Sequence, residues 1–299
     1  MRTLKVPSAF TPVTQKINPE DYIPFEKELW EFKISNQAFY PRSMKDLIRF
    51  YPLVIKYVVE KLKAPYEKIA ISLPAEDFLK ETEEGFATIK AIEERTRKET
   101  GKEITLEAYP QGLAAIYKMK KDNEIEHKGN LLIIDGGFNT VNAMIVNKEM
   151  KITWIRTYHN EIGVRNLLDS YFYEEIKKVA TVPRNLQVIK NIFLSGEIDR
   201  GIESIDITPE KEKAISRFMP KMLEKVTLDL QIATDEKIDE IAIIGGISHY
   251  IKEENLKTKK KLFIPKENGE FYNVMGMFIK SETTSIDFGF GDIKICLPE

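Results

Sequence analysis

The stretch "TTSIDFGFGDIKICLPE" (283–299) contains "IDFGFGDIK" at 286–294, and this aligns without a gap on "IDGGFNTVN" at 134–142. Ile286, Asp287, Gly289 and Phe290 match Ile134, Asp135, Gly137 and Phe138, and Ile293 faces Val141. In each copy an apolar strand ends at an aspartate and turns through glycine into a second apolar strand. The residue types suit an anion. Glycine lets the backbone take positive φ and approach a ligand closely. Successive N–H groups in such a turn form an anion-binding nest. An aspartate at the strand end suits Mg²⁺ held through water. One copy alone reads as an ordinary hairpin. Two copies with aspartates in register read as a pair of phosphate-gripping hairpins.

Around them, strand-like and helix-like runs alternate, the pattern of an α/β protein. "TLKVPSAF" (3–10) is a strand stopped by Pro7, and 20–42 mixes aromatic, strand and turn signals. Ser43 caps a helical run that Pro52 is expected to kink or split. "KIAISLP" (68–74) is a buried strand, 76–100 one charged amphipathic helix ended by Gly101, and "EITLEAYPQGLAAIYKMK" (103–120) strand, turn and helix. After a boundary at "HKGN" (127–130) come the strands of "LLIIDGGFNTVNAMIVN" (131–147) and "KITWIRTYH" (151–159). A helix then enters through Gly163, 180–215 is mixed, and a helix carries Pro220. "EIAIIGGISHYIKE" (240–253) reads as strand, Gly-rich turn and helix, and 261–281 as strand, loop and short helix.

The composition narrows the function classes. The chain has 299 residues, enough for two domains, with 42% hydrophobic and 31% charged residues. A net charge of −2 gives no electrostatic footprint for nucleic acid, so no direct nucleic-acid binding is expected. The single cysteine, Cys296, rules out an internal disulfide and fits a reducing cytosol. The first residues lack the apolar run of a signal peptide, and no run is long enough for a membrane helix. The expected location is the cytoplasm, away from the membrane. His127, His159 and His249 show no metal-ligand spacing and no paired nucleophile.

With the two hairpins and the strand–Gly245–Gly246 turn in this order, the sequence resembles the actin-like ATPase superfamily of actins, sugar kinases and DnaK-type chaperones. Within it, the chain is most similar to bacterial and archaeal actin-like filament proteins of the ParM type. The resemblance implies an α/β fold of two domains, ribonuclease H-like, with a nucleotide cleft between them. It maps the first phosphate hairpin onto Asp287, Gly289, Gly291 and Lys294, and the second onto Asp135, Gly136, Gly137, Asn139 and Thr140. It maps the adenosine motif onto Gly245, Gly246 and Ile247, and helix contacts to ribose or base onto Glu224 and Lys225. "LEAYPQGLAA" (106–115) resembles the segment that orients the attacking water, which makes Gln111 and Asp135 the catalytic candidates. Mg²⁺ would lie near Asp287 and Asp135, through water. "VPSAF" (6–10), "SLPAEDF" (72–78), "NEIGVRNL" (160–167) and "FYNVMGMF" (271–278) also match places where the family carries short motifs. One departure is Asp292, where the family has a small polar residue. An acid beside phosphates is unfavourable unless Mg²⁺ or Lys294 offsets it.

The order of these motifs departs from the family's. There the hairpin of Asp287 and Lys294 comes first and a "PSA"-type strand follows. Reading "IDFGFGDIKICLPE" into "MRTLKVPSAF" restores that order, so the sequence implies a circular permutation. Domain I is expected to span 1–128 plus 274–299, and domain II 129–273. The polar stretch 280–285 serves as the join.

The resemblance implies an ATPase that binds and hydrolyses Mg-ATP and polymerises with itself head to tail into cytoskeletal filaments. Plasmid segregation through a DNA-bound adaptor is one expected role. Two alternatives remain within the superfamily. A small-molecule kinase needs an acidic base where this chain has Gln111. An adaptor of the FtsA or PilM type needs an amphipathic terminal helix for tethering.

Overall fold

The computed structural model describes residues 1–13, 22–35, 37–251, 253, 256 and 258–299. The chain forms two compact units, Met1–His127 with Asn268–Glu299, and Lys128–Glu267. The stretch 268–273 thus belongs with the first unit. No helix among the described residues is long and apolar enough to cross a membrane.

The first unit is built on a five-stranded sheet. Its order is β1 (Arg2–Pro7), β15 (Asp292–Leu297), β14 (Ser285–Phe288), β5 (Lys68–Leu73) and β6 (Thr105–Pro110). β15 runs antiparallel to both β1 and β14, while β14, β5 and β6 are parallel. A three-stranded sheet of β2 (Phe10–Pro12), β3 (Ile23–Phe25) and β4 (Glu28–Phe32) lies in the same unit. The aromatic side chains tie the layers together. Phe10 stacks on Phe50 of α1 (Met44–Glu60) at 4.5 Å and meets Phe288 of β14 edge-on at 5.9 Å.

Ser43 caps α1 as its sequence predicts, in a reciprocal capping box with Asp46. Pro52 does not split the helix, which runs unbroken across it; Pro52 and the residues flanking it are buried, so packing outweighs the lost hydrogen bond. The expected helix over 76–100 is two helices, α2 (Ala75–Glu83) and α3 (Ala87–Thr100). The chain breaks at Gly85 and Phe86, both left-handed, and the Glu81 carboxylate accepts from the Thr88 N–H to cap the second start. Gly101 ends α3 in the left-handed region as expected. α4 (Leu113–Lys121) packs on α9 (Tyr272–Ser281) over β5 and β14.

The second unit has its own five-stranded sheet. Its order is β13 (Lys261–Phe263), β12 (Glu240–Ile244), β7 (Leu131–Gly136), β8 (Thr140–Val146) and β9 (Ile152–His159). β7, β12 and β13 are parallel, and β8 is antiparallel to β7 and β9. This repeats the first sheet strand for strand, with β7, β8, β9, β12 and β13 corresponding to β14, β15, β1, β5 and β6. The second unit runs through its strands in that order. The first unit takes the third strand first and the opening hairpin last. The chain is therefore circularly permuted relative to its own second half. Met1 and Glu299 stand together: the N-terminal ammonium pairs with the Glu299 carboxylate at 2.6 Å. The join between α9 and β14 is less slack than its polar sequence suggests. Thr284 and Ser285 are fully buried, and Thr284 bonds the Pro65 carbonyl through Oγ1 and the Ala70 N–H through its own carbonyl.

The helical stretch 164–176 starts after Gly163 as expected but carries a π-helix, Leu167–Phe172, between α5 (Val164–Asn166) and α6 (Tyr173–Ile176). The mixed region 180–215 resolves into α7 (Leu186–Ser195), capped by Asn185, and a hairpin of β10 (Glu197–Asp199) and β11 (Ser204–Asp206). α8 (Thr208–Ala233) keeps Pro220 inside it. Gly245–Gly246 leads into a single 3₁₀ turn, Gly246–Tyr250, in place of the expected helix; residue 252 of that expectation lies outside the described residues.

Beside the apolar core of this unit, Glu175 is buried and takes three cations: Arg217 and Lys178 at 2.7 Å and Lys213 at 3.1 Å. The Lys178 hydrogen bond, ahead of that from Lys213, holds the carboxyl down to about 2 despite burial. A carboxyl depressed on folding adds stability above its unfolded value, and that stability is lost as pH falls through the folded one. Acid titration of the fold is expected to show a loss between about pH 4.5 and 2. Glu175→Gln should shrink that loss and lower the melting temperature at neutral pH. A variant melting like wild type at both pH 7 and pH 3 would remove this assignment.

Candidate phosphate-binding hairpins

The first hairpin joins β14 to β15 through Gly289–Phe290–Gly291. Its register puts Asp287 directly opposite Lys294 and Phe288 opposite Ile293. The Lys294 ammonium lies 3.6 Å from Asp287 Oδ2. A Cβ placed on Gly289 would meet that ammonium at 3.2 Å and the Asp292 carbonyl at 3.1 Å. The glycine thus keeps open the backbone beside the lysine. Ser8, the serine of "VPSAF", holds the turn from just past the end of β1. Its Oγ donates to the Gly289 carbonyl at 2.5 Å and its N–H to the Gly291 carbonyl at 3.3 Å.

Gln111 reaches the same carboxylate. It follows β6 and precedes α4, with its N–H bonded to the Leu73 carbonyl and the next N–H, of Gly112, bonded to Asn273 Oδ1. Gly112 has φ +87°, a conformation only glycine takes easily. Gln111 Nε2 donates to Asp287 Oδ1 at 3.0 Å and to Ser72 Oγ at 3.3 Å. Ser72 Oγ in turn donates to Asp287 Oδ1 at 2.5 Å. The structure thus brings Asp287, Lys294 and Gln111 together. It adds Ser72 and Asn273, which the sequence marks only as parts of "SLPAEDF" and "FYNVMGMF". A serine at the end of a buried strand, just before Leu73–Pro74, is the signal that could have found Ser72.

In the second unit Asp135 occupies the position equivalent to Asp287, opposite Asn142 as Asp287 is opposite Lys294. Gly136 lies opposite Val141, as Phe288 does Ile293. Asp135 is buried beneath the Gly245 turn. Gly245 has φ +80° and ψ −173°, a region essentially closed to other residues. A Cβ there would fall 2.5 Å from Asp135 Oδ1 and 2.6 Å from the Gly136 carbonyl. Gly136 itself leaves room for Ile247, which is fully buried. Asp135, Gly136, Gly245 and Ile247 therefore form one packed corner, with Gly246 next in the turn.

The turn of Gly137–Thr140 is closed by the Gly137 N–H on the Thr140 carbonyl at 2.7 Å. The "NEIGVRNL" segment wraps it: Asn160 donates to the Asn139 carbonyl, Val164 to that of Gly137 and Arg165 to that of Phe138. Asn139 is buried, and its Oδ1 has no partner among the described residues. Glu224 and Lys225 lie apart in character. Glu224 is exposed on α8, and Lys225 pairs along the helix with Asp229 at 3.4 Å.

These residues fit a phosphate ligand. Each hairpin offers bare glycine backbone at its turn, and the first has a lysine beside it. They also fit a water-coordinated Mg²⁺. Each hairpin ends its first strand on a carboxylate, Asp287 or Asp135, the first also carries Asp292 where its second strand begins, and among the described residues no group of three His, Cys, Asp or Glu side chains stands ready to cage a metal.

No protein-family model matches the sequence, and no curated protein matches it. Solved structures do match. The archaeal actin homolog Ta0583, in complex with ADP, is 16% identical, with 93% of this chain and 92% of that chain covered and a TM-score of 0.67. A ParM from a 15-stranded filament of Clostridium botulinum is 17% identical, with 92% of each chain covered and a TM-score of 0.63. The non-polymerisable quadruple mutant of pCBH ParM is 18% identical, with 93% of this chain and 92% of that one covered and a TM-score of 0.58. The fold of this chain is actin-like, of the kind found in these proteins.

Proposed function

Because the chain folds as these actin-like proteins do, we propose that it is a cytoplasmic ATPase that binds Mg-ATP, hydrolyses it and assembles head to tail into filaments. The observation that carries this reading is the pair of hairpins with identical register, Asp287 opposite Lys294 and Asp135 opposite Asn142. One unit would supply Asp287, Gly289, Gly291, Lys294 and Gln111 to the nucleotide. The other would supply Asp135, Gly136, Gly137, Asn139 and Thr140, with Gly245, Gly246 and Ile247 at the nucleoside. Mg²⁺, held near Asp135 and Asp287 through water, would neutralise charge on the phosphates. Phosphoryl transfer to water depends mainly on positioning and on charge stabilisation. Lys294 contributes the charge, the turn N–H groups contribute donors, and Gln111 orients the attacking water.

ADP in the archaeal homolog and the filament of the clostridial ParM support nucleotide binding and self-assembly. A heterologous contact that does not close gives such a filament. Transport of plasmid DNA through a DNA-bound adaptor is the cargo reading suggested by the likeness to ParM.

The test is phosphate release and nucleotide binding in wild type and Gln111→Ala. The variant should bind ATP within about twofold of wild type and release phosphate about ten- to a hundredfold more slowly, since orienting the water matters in the transition state. Wild-type release from Gln111→Ala would remove the role given to Gln111.

A further inference from the structure

We infer that Ser72 is a positioning residue for hydrolysis, which fixes the orientation of the Gln111 amide through Asp287; this rests on the ATPase reading above. The argument is one of hydrogen-bond inventory. A serine hydroxyl has a single hydrogen. Ser72 spends it on Asp287 Oδ1, at 2.5 Å and fully buried, so the hydroxyl offers only lone pairs to Gln111. The carboxylate is an acceptor only, and its other oxygen faces the Lys294 ammonium. Both neighbours of the Gln111 amide nitrogen are therefore acceptors, at 3.0 and 3.3 Å. A flipped amide would turn Oε1 onto the same two acceptors and repel both. The knot thus selects the orientation with NH₂ toward Asp287 and Oε1 on the opposite side of the planar group. Oε1 is the atom that can accept a hydrogen bond from a water.

The serine is itself held. Its carbonyl accepts from the Tyr51 hydroxyl at 2.7 Å, and Tyr51 is fully buried on α1. The Gln111 backbone is pinned from the same strand end, through the Leu73 carbonyl, and from α9, through Asn273. With backbone and amide nitrogen both fixed, the remaining freedom of Gln111 is small. Removing the Ser72 hydroxyl leaves the nucleotide-facing atoms Lys294, Gly289 and Gly291 in place. It removes one of the two acceptors on the amide and one donor on the carboxylate.

The experiment measures single-turnover phosphate release, ATP affinity and melting temperature for wild type, Ser72→Ala, Ser72→Thr, Gln111→Ala and the double variant Ser72→Ala/Gln111→Ala. Ser72→Ala is expected to slow turnover about tenfold while ATP affinity stays within about twofold. Ser72→Thr, which keeps the hydroxyl, should recover most of the rate. On the Gln111→Ala background the serine change should cost nothing further, because residues that act as one unit are not additive. Equal cost on both backgrounds, lost affinity with unchanged turnover, or wild-type turnover in Ser72→Ala each overturns the inference. If Ser72→Ala does not fold, the Ser72→Thr and Gln111→Ala pair carries the test: a threonine variant that folds, binds ATP and is as slow as Gln111→Ala overturns it. Wild-type protein that releases no phosphate sinks the ATPase reading, and the positioning role with it. Wild-type turnover with additive variants sinks only the positioning role.

Discussion

Asp135→Ala is expected to bind nucleotide poorly in the presence of Mg²⁺ and to lose ATP turnover by about a hundredfold or more, the scale on which removal of a preorganised charge-stabilising group acts. Asp135 ends β7, is buried, and lies under the Gly245 turn, where even one added carbon would fall 2.5 Å from its Oδ1. The surrounding backbone therefore leaves the carboxylate little room to move. Its counterpart Asp287 is engaged by Ser72, Gln111 and Lys294, so a metal approaching that oxygen pair competes with three donors. On the proposed reading Asp135, which stands opposite Asn142 rather than a lysine, would be the carboxylate that takes the hydrated cation. Asp135→Asn keeps the shape and removes the charge, and it should lose turnover nearly as fully. Turnover within about twofold of wild type in both would remove Asp135 from the site.

Gly276→Ala is expected to destabilise the first unit by about 1–3 kcal/mol, the usual range for overpacking. In a unit of this size that corresponds to a fall in melting temperature of roughly 3–10 °C. α9 crosses α4 at Gly276, and a Cβ there would sit inside the Ala114 carbonyl group and only 3.1 Å from Ala115 Cα. The obstacle is backbone, so no side-chain rotation relieves it. α9 must lift, and α9 also carries Asn273, which holds the Gly112 N–H. The variant should therefore lose turnover along with stability, although Gly276 contacts no proposed ligand atom. Differential scanning calorimetry and phosphate release check the two arms. Unchanged melting would mean that the close crossing is absent in solution.

The sequence was most legible where local chemistry sets the geometry. The two hairpins carry their register in the spacing of Asp, Gly and the closing apolar residue, and the sheets place Asp287 and Asp135 at equivalent positions. Ser43 announces its helix because a capping box is a local motif. The permutation was readable because motif order survives in the chain even when strand order in space is hidden. Other features depended on tertiary context. Phe86 takes φ +59° in a run that is helical by composition, so nothing in its side chain flags the break between α2 and α3. Pro52 looked like an interruption because propensity weighs its missing N–H, while the buried flank of α1 decides the matter. α7 hid in a region of mixed signals, although Asn185 is a serviceable cap for it. Ser72 escaped for a different reason. A buried strand serine has no periodicity to reveal it, and only the fold brings it within 2.5 Å of a carboxylate 215 residues along the chain.

Nucleotide-driven assembly of this chain is read out by sedimentation followed by electron microscopy. Purified protein would be incubated with Mg²⁺ and ATP, ADP, a slowly hydrolysed ATP analogue or no nucleotide, over a range of protein concentrations. Pelleted filaments are expected above a critical concentration with ATP and the analogue, fewer with ADP, and none from Asp135→Ala. Protein that stays in the supernatant as a monomer at every concentration and in every nucleotide state would contradict it.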